Sequence, residues 1–366
     1  MRSHGLRIMR SFMGQQIIAL MYGQVDADAP EDEKDVLVQL RSVRRALQSL
    51  GYLTEDIALT LNLHDASERL RSLRPAMAFN LAETIEGKGS LIHVAPTLLE
   101  SLGIPYTGAS AEAIFLTSHK LRAKKTLKMA GIDTPEWTTA VQALRAEPTF
   151  APPFIVKSIW EHASIGMEDS AVAFSVEELS AEIRRRLRRE GTEQLFVESY
   201  VEGREFNLAL LGGMEDSILP QSLPPAEIRF VDYPEDKPKF VGYRAKWDQS
   251  SFEYSRTPRR FDFPSQDAAL LADLRRRSVA CWELFGLRGY ARVDFRVDAE
   301  GKPWVLEINT NPCLSPDAGF MAAAARDGLL PDDVIRRIIT DTRTNTAVAQ
   351  ARPTSRIKEP NTWAPR

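Results

Sequence analysis

Two carboxylates, an amide and an arginine stand two residues apart in pairs within YARVDFRVDAEGKPWVLEINT: Arg292 with Asp294, then Glu307 with Asn309. The flanking runs ARVDFRV and WVLEINT read as two strands, and Glu300-Gly301 reads as a two-residue turn whose glycine supplies the positive φ that such turns need. Asp294 is then expected to face Glu307, and Arg292 to face Asn309. Side chains alternate between faces, so Val293, Phe295, Val297, Trp304, Leu306 and Ile308 are expected to share the opposite, apolar face. Two opposed carboxylates and an amide oxygen form a hard-oxygen cluster suited to Mg²⁺, which keeps waters and shares phosphate oxygens with its substrate. A solvated amphipathic hairpin would carry the same pattern. Two carboxylates set directly opposite each other are unfavourable without a cation, which favours metal.

Two further stretches carry chemistry. In IVKSIWEHASIG, Lys157 leaves a strand and enters a polar loop from Glu161 to Gly166 that includes Ser164. A lysine there can meet phosphate as a point charge, and small-residue backbone N–H groups can line an anion. The stretch lacks the GxxxxGK[ST] pattern of a Walker loop, and a solvent-facing lysine is the default alternative. In VESYVEGREF, Glu198 and Glu205 flank the place where two domains would meet.

The elements that must position these groups follow in order. QIIALMY reads as a buried strand, DADAPEDEKD as an acidic loop, and VLVQLRSVRRALQSLG as a helix stopped by Gly51. Further alternation of strand and helix up to residue 116 argues for a parallel sheet with helices on its faces. Residues 117–201 hold a helix over SHKLRAKKTLKM and a small mixed sheet, and residues 202–344 follow REFNLALLGG. Within them, residues 223–258 have aromatics and charges but little period, which suits an ordered, mobile lid. Residues 1–15 read as a loose extension and residues 345–366 as a disordered tail.

Length and composition bound the rest. A chain of 366 residues with net charge −3 can build two or three domains with real cores. The run Arg184 to Arg189 is matched by Glu182, Glu190 and Glu193, so it reads as a solvated helix face, and nucleic acid is not expected. The two cysteines give no disulfide framework, which fits the cytoplasm. The N-terminal apolar run is too short for a membrane span.

Five ordered segments resemble the ATP-grasp superfamily and, within it, the D-alanine–D-alanine ligase group: SLGIPYTGAS, SHKLRAKKTLKMAGI, PFIVKSIWEHASIGM, FVESYVEGREF and GYARVDF…LEINTNPCLSP. The resemblance implies an α/β fold (α+β in part) of three domains, with an N-terminal parallel sheet and ATP held between the central and C-terminal domains. Lys120 and Lys157 resemble the lysines that touch ATP phosphates, and Glu161 to Gly166, with Ser164, resembles the phosphate-covering loop. Glu198 and Glu205 resemble the adenine-side and ribose-binding acids, with Ser199, Tyr200 and Val201 as the hinge beside the purine. Asp294, Glu307 and Asn309 resemble the ligands of Mg²⁺, for which Mn²⁺ can stand in. Arg292 resembles the arginine that steadies an acyl phosphate and the later tetrahedral intermediate. GYRAKW resembles a lid sequence, giving Lys246 a phosphate contact on closure and placing Tyr243 near the substrate.

Departures from the group fall at the substrate end. His162 and Ala163 stand where it usually has Gly and Ser. Its first-substrate acid is matched only by Glu33-Lys34-Asp35, a His-Gly pair is replaced by Ala82-Glu83-Thr84, and a carboxylate-holding serine aligns with Ala318 beside Asp317. Cys313 replaces a glycine whose N–H faces the reacting oxygen. The expectation is an ATP-dependent carboxylate–amine ligase with a rewritten pocket, in which Asp35, Glu83 and Asp317 suit an amino group or a cationic acceptor. An authentic D-alanine–D-alanine ligase, an ATP-grasp kinase and a non-catalytic nucleotide-binding protein are the alternatives. The expected partners are small carboxylates and amines, and the group is often dimeric.

Overall fold

Ile18 to Met21 are fully buried, a run with no alternation that only a strand covered on both faces produces. The computed structural model, which describes residues 16–161, 167–190, 194–214, 217 and 219–351, places them in β1 (Ile17–Gly23). With β2 (Leu53–Leu59) and β3 (Met77–Asn80), β1 forms a wholly parallel sheet in the order β2–β1–β3. The Glu31–Ser49 helix crosses from β1 to β2 and buries Val36, Leu40, Val43 and Leu47 at helical spacing. It begins inside the stretch expected to be an acidic loop. Glu31, Asp32 and Glu33 form its first turn, where carboxylates are favoured by the unpaired N–H groups of a helix start.

The second sheet comprises β4 (Trp137–Thr139), β5 (Phe154–Ser158), β6 (Val172–Ala173) and β7 (Leu195–Ser199), in the order β4–β7–β5–β6. Every pairing in it is antiparallel rather than mixed. The Val176–Glu190 helix covers it with Leu179 and Ile183. The arginine run of that helix is not wholly solvated: Arg186 is buried, and its guanidinium donates to the Val156 carbonyl of β5 at 2.8 Å.

The third sheet holds β8 (Arg204–Leu211), β9 (Gln221–Ser222), β10 (Ala226–Ile228), β11 (Arg259–Arg260), β12 (Tyr290–Val297) and β13 (Pro303–Asn309). Its main path is β11–β10–β8–β12–β13, with β9 also on β8. Thus part of the segment expected to be an irregular lid is sheet, because Ala226 to Ile228 pair with Glu205 to Asn207. Two short helices, Tyr243–Trp247 and Phe252–Ser255, follow within it.

The hairpin at the heart of this sheet differs from expectation at its turn. Asp298 N–H donates to the Lys302 carbonyl, and Gly301 N–H donates to the Asp298 carbonyl, both at 3.1 Å. The loop is therefore Ala299 to Gly301, with Gly301 at φ 83, a three-residue connection rather than a two-residue one. That shift pairs Phe295 with Val305 and Arg296 with Trp304. A bulge at Leu306 then restores the expected register, so Asp294 does oppose Glu307 and Arg292 does oppose Asn309. In consequence Val305 joins the apolar face and is fully buried, whereas Trp304 and Leu306 leave it.

At the far end, the Pro331–Ala351 helix continues through the first residues of the expected tail. Residues 352–366, the N-terminal 1–15 and the loop 162–166 with Ser164 lie outside the described residues.

Gly203, at φ +138, joins β8 to the chain before it, and a Cβ there would lie 2.0 Å from the Val297 carbonyl oxygen. Gly203→Ala is expected to lose about 3 kcal/mol or more. Gly301→Ala, at φ +83 with open space around it, should lose only about 1–2 kcal/mol. Denaturant midpoints of the two variants check the order.

Candidate active site

Asp294 is nearly buried where β12 lies between β8 and β13. Arg292 grips both its oxygens at 2.7 Å, and Asn207 of β8 donates to Oδ1 at 2.8 Å. Across the hairpin, the Asn309 amide donates to Asp294 Oδ2 at 3.1 Å and to Glu307 Oε1 at 3.3 Å. Burial pushes the Asp294 carboxyl up, Arg292 pulls against the rise, and Glu307 adds to it. A cation would relieve that crowding, and the Asn309 amide, turned over, would offer its oxygen. Among the described residues no group of three or more His, Cys, Asp or Glu forms a closed metal cage. One or two carboxylates with room for phosphate oxygens is the donor set Mg²⁺ takes, so the residues present fit that ion.

Lysines from two other elements reach the same region. Lys120, at the start of the Lys120–Met129 helix, donates to the Glu161 carbonyl at 2.6 Å and stands 3.8 Å from Glu307. Lys157 of β5 pairs with Glu198 of β7 at 2.6 Å. Lys124, one helical turn beyond Lys120, takes the other Glu198 oxygen at 2.7 Å and donates to the Thr134 hydroxyl at 2.6 Å. Burial raises the Glu198 carboxyl, but the two lysines outweigh it and hold it low. Burial likewise brings Lys124 down to about 8 against the pull of Glu198. Removing one partner from such a group leaves buried charge uncompensated, at a cost of roughly 3–5 kcal/mol.

Next to this triad, Ser199, Tyr200 and Val201 line the cleft, and Arg296 ties the corner by donating to the Val201 carbonyl at 2.9 Å and to Glu205 at 3.2 Å. Burial holds the Glu205 carboxyl above its usual range even beside Arg296.

The opposite end is closed by the N-terminal sheet's first helix. Gln39 Nε2 donates to Glu83 at 2.6 Å, while its Oε1 accepts from the Leu314 N–H at 2.9 Å. Asp35 accepts from the Cys313 thiol at 2.9 Å and the Ser315 hydroxyl at 2.8 Å. Burial keeps Cys313 a thiol and raises Glu83 to about 7. From above, the Tyr243 hydroxyl donates to Asp32 at 2.8 Å, so the lid segment rests on the Glu31–Ser49 helix. Lys246, one turn on, is pushed below its usual range by burial and then by Arg292.

Of the described residues given ATP, metal or substrate roles from the sequence, all except Tyr243 line one cavity of about 620 Å³; Glu33, Lys34, Ala82 and Thr84 do not line it. Asp317 does, with its side chain exposed at the rim. Asn207, Lys124, Gln39, Arg259 and Arg296 were not singled out. Period-two polarity in Arg204–Leu211 marks Asn207 beside Glu205, and helical spacing from Lys120 and from Asp35 marks Lys124 and Gln39. The same alternation in Tyr290–Val297 marks Arg296 beside Asp294, whereas Arg259 carries no such local signal.

A parallel N-terminal sheet followed by two antiparallel sheets that share one cleft is the ATP-grasp fold. The solved D-alanine–D-alanine ligase from Bacillus anthracis complexed with ATP has it, at TM-score 0.68 and 21% identity over 91% of this chain and 99% of that one. The family model for the D-ala D-ala ligase C-terminus matches residues 125–340. A D-alanine–D-alanine ligase of Stutzerimonas stutzeri is 33% identical over 280 residues, 76% of this chain and 81% of that protein. An uncharacterized protein of Sinorhizobium fredii is 31% identical over 303 residues, 81% of this chain and 85% of that one. The chain belongs to the D-alanine–D-alanine ligase family of ATP-grasp proteins. It is an ATP-dependent ligase that forms C–N bonds. No helix among its described residues is long and apolar enough to cross a membrane.

The raised Glu83 carboxyl sets a pH dependence of stability. Its folded value, about 7, lies above the ordinary 4.5, so the folded state holds the extra proton between those values and loses stability as pH rises through them. Relative to Glu83→Gln, the wild type is expected to lose about 2–3 kcal/mol between pH 4.5 and pH 7. Urea titrations of both proteins across that range check it; parallel curves would contradict it.

Proposed function

We propose that the enzyme joins a small carboxylate to an amine through an acyl phosphate, in a pocket that differs from one built for two D-alanines. The carrying observation is the convergence of Asp294, Glu307 and Asn309 with Lys120, Lys157, Lys246 and Arg292 on a single cleft. ATP lies between the second and third sheets in this reading, with Tyr200 and Val201 against the base and Glu205 toward the ribose. Residues 16–116, 117–201 and 202–344 act as the three domains, and each contains one of the sheets. Asp294, Glu307 and Asn309 would hold Mg²⁺, which when bound neutralises phosphate charge.

The lysines hold the phosphates while a carboxylate oxygen of the first substrate attacks the γ-phosphorus and ADP leaves. The amine then attacks the carbonyl carbon of the acyl phosphate, loses a proton, and phosphate departs as the amide forms. Arg292 stabilises the oxyanion of that addition. Fixed charges of this kind act by pre-organisation rather than covalent chemistry. The Tyr243–Asp32 contact seats the lid and keeps water from the intermediate.

The pocket supports altered substrates. Asp35 and Glu83 offer carboxyl groups to an ammonium on the first substrate, and the Cys313 side chain fills space beside them. Asp317 offers a third acid at the rim. Small carboxylates and amines are the partners, in the cytoplasm.

The deciding experiment is ATP-dependent hydroxamate formation in Mg²⁺, with hydroxylamine as acceptor and a panel of amino acids and other small carboxylates as donors. One productive donor other than D-alanine is the expected result. D-alanine alone would restore the authentic ligase, and ADP release without hydroxamate would indicate a kinase. With the productive donor, Arg292→Ala is expected to lower kcat about 10²- to 10³-fold, and steady-state kinetics check the size of the loss.

A further inference from the structure

His119 stands at the junction of the two segments that carry Lys120 and Lys157. It caps the Lys120–Met129 helix, with its imidazole Nδ1 accepting from the Arg122 N–H at 3.3 Å. Its ring meets the Trp160 ring edge to face, with centroids 4.5 Å apart. Trp160 lies just past the end of β5, the strand of Lys157. Two hydrogen bonds tie the same segments together. The Lys120 N–H donates to the Ile159 carbonyl at 3.1 Å, and its ammonium donates to the Glu161 carbonyl at 2.6 Å. Histidine is an unusual cap, since Ser, Thr, Asp and Asn are strongly preferred there. Its acceptor nitrogen exists only while the ring is neutral.

Trp160 is held from its other sides as well. Phe115 packs on its ring with centroids 5.6 Å apart, and His93 packs on Phe115 at 5.0 Å. Its backbone is crowded too: a Cβ on Gly89 would stand 2.9 Å from the Trp160 carbonyl oxygen. The helix, for its part, buries Ala123 and Leu127 in the core of the third sheet. The His119–Trp160 contact therefore joins a helix anchored on the third sheet to a strand of the second. Neither residue lines the cavity, whereas Lys120 and Lys157 both do.

We propose that His119 is a positioning residue for the phosphates of ATP: its cap and its contact with Trp160 hold Lys120 at the spacing from Lys157 that the phosphates require. The inference rests on the reading above in which both lysines meet phosphate. A helix start without its cap frays, and apparent affinity falls with the fraction of molecules that keep Lys120 in place. Burial lowers the imidazole from its usual 6.5, and Arg122 and Lys120, on its own helix, add to that against a backbone hydrogen bond. On the strand side the charged group is Glu161, next to Trp160, and His93 faces Phe115. The neutral ring accepts at neutral pH, and a proton gained in acid removes the cap.

Nucleotide binding tests this without a known donor. Calorimetric titration with Mg²⁺ and the β,γ-imido analogue of ATP is set against competition by adenosine, which has no phosphate. His119→Ala and Trp160→Leu are each expected to weaken the analogue about 5- to 10-fold and to leave adenosine unchanged. His119→Asn keeps a cap acceptor that takes no proton, so it should recover part of the loss. Between about pH 7.5 and about pH 5.5 the wild type should lose affinity for the analogue relative to His119→Asn. A purely structural role would produce neither the selectivity for phosphate nor that difference in pH profile. Unchanged analogue binding in His119→Ala, equal losses for analogue and adenosine, or parallel pH profiles would each overturn the inference. Lys120→Ala separates the two readings. If it leaves analogue binding intact, the phosphate role of Lys120 fails and this inference with it; if it weakens the analogue while His119→Ala does not, this inference alone fails.

Discussion

Asp294 and Glu307 face each other across a hairpin that has no other reason to bring two acids together, and much of the structure serves to make that tolerable. Arg292 and Asn309 flank them, Asn207 reaches in from β8, and Lys120 approaches from a different segment. The pairing depends on register, because a one-residue slip sends every side chain to the other face. Two irregularities set it. The three-residue loop ending at Gly301 shifts the strands by one position, and the bulge at Leu306 shifts them back before Glu307. The apolar face is then filled by Val293, Phe295, Val297, Val305 and Ile308, all but fully buried, so burial of that face holds the acids opposite each other.

Charge is concentrated in this cleft and largely satisfied within it. Glu198 binds two lysines at once, Arg296 joins Glu205 to the Val201 carbonyl, and Asp35 takes hydrogen bonds from a thiol and a hydroxyl. Networks of this kind contribute little net stability against an apolar equivalent, since desolvation offsets the attraction. Their retention in a chain whose cores are otherwise apolar fits a site kept for binding charged ligands. The substrate end differs in character: burial raises the Glu83 carboxyl and keeps Cys313 a thiol that donates to Asp35.

Much of the frame was legible in local pattern. The parallel first sheet followed from strand and helix alternation, FIVKS is β5 to the residue, and the acid pairing was right. It was right for an incomplete reason, since the expected two-residue turn and the missed bulge compensated each other. Trp304 and Leu306 show what that cost, because both were assigned to a face they do not occupy. The acidic loop that became a helix start and the lid segment that became β10 were missed for a common reason. Polar first turns and short edge-side strands have weak periodicity, and their partners lie far along the chain.

By itself, the sequence determined the set of chemical groups and their approximate faces: alternation in the hairpin, helical spacing around Lys120, and the order of segments shared with a known family. Only the tertiary structure decided which groups meet. Lys124 and Lys157 come from a helix and a strand, yet converge on Glu198 because the helix buries Ala123 and Leu127 in the core of the third sheet and leaves Lys124 facing β7. Asp35 and Cys313 are far apart in sequence and touch because the first helix docks on the loop after β13. Arg259 lines the cavity because β11 pairs with β10 and leaves that side chain beside Gly319. Such contacts follow from burial of apolar faces that no local window contains, which is why the residue types could be read from the chain and their partners could not.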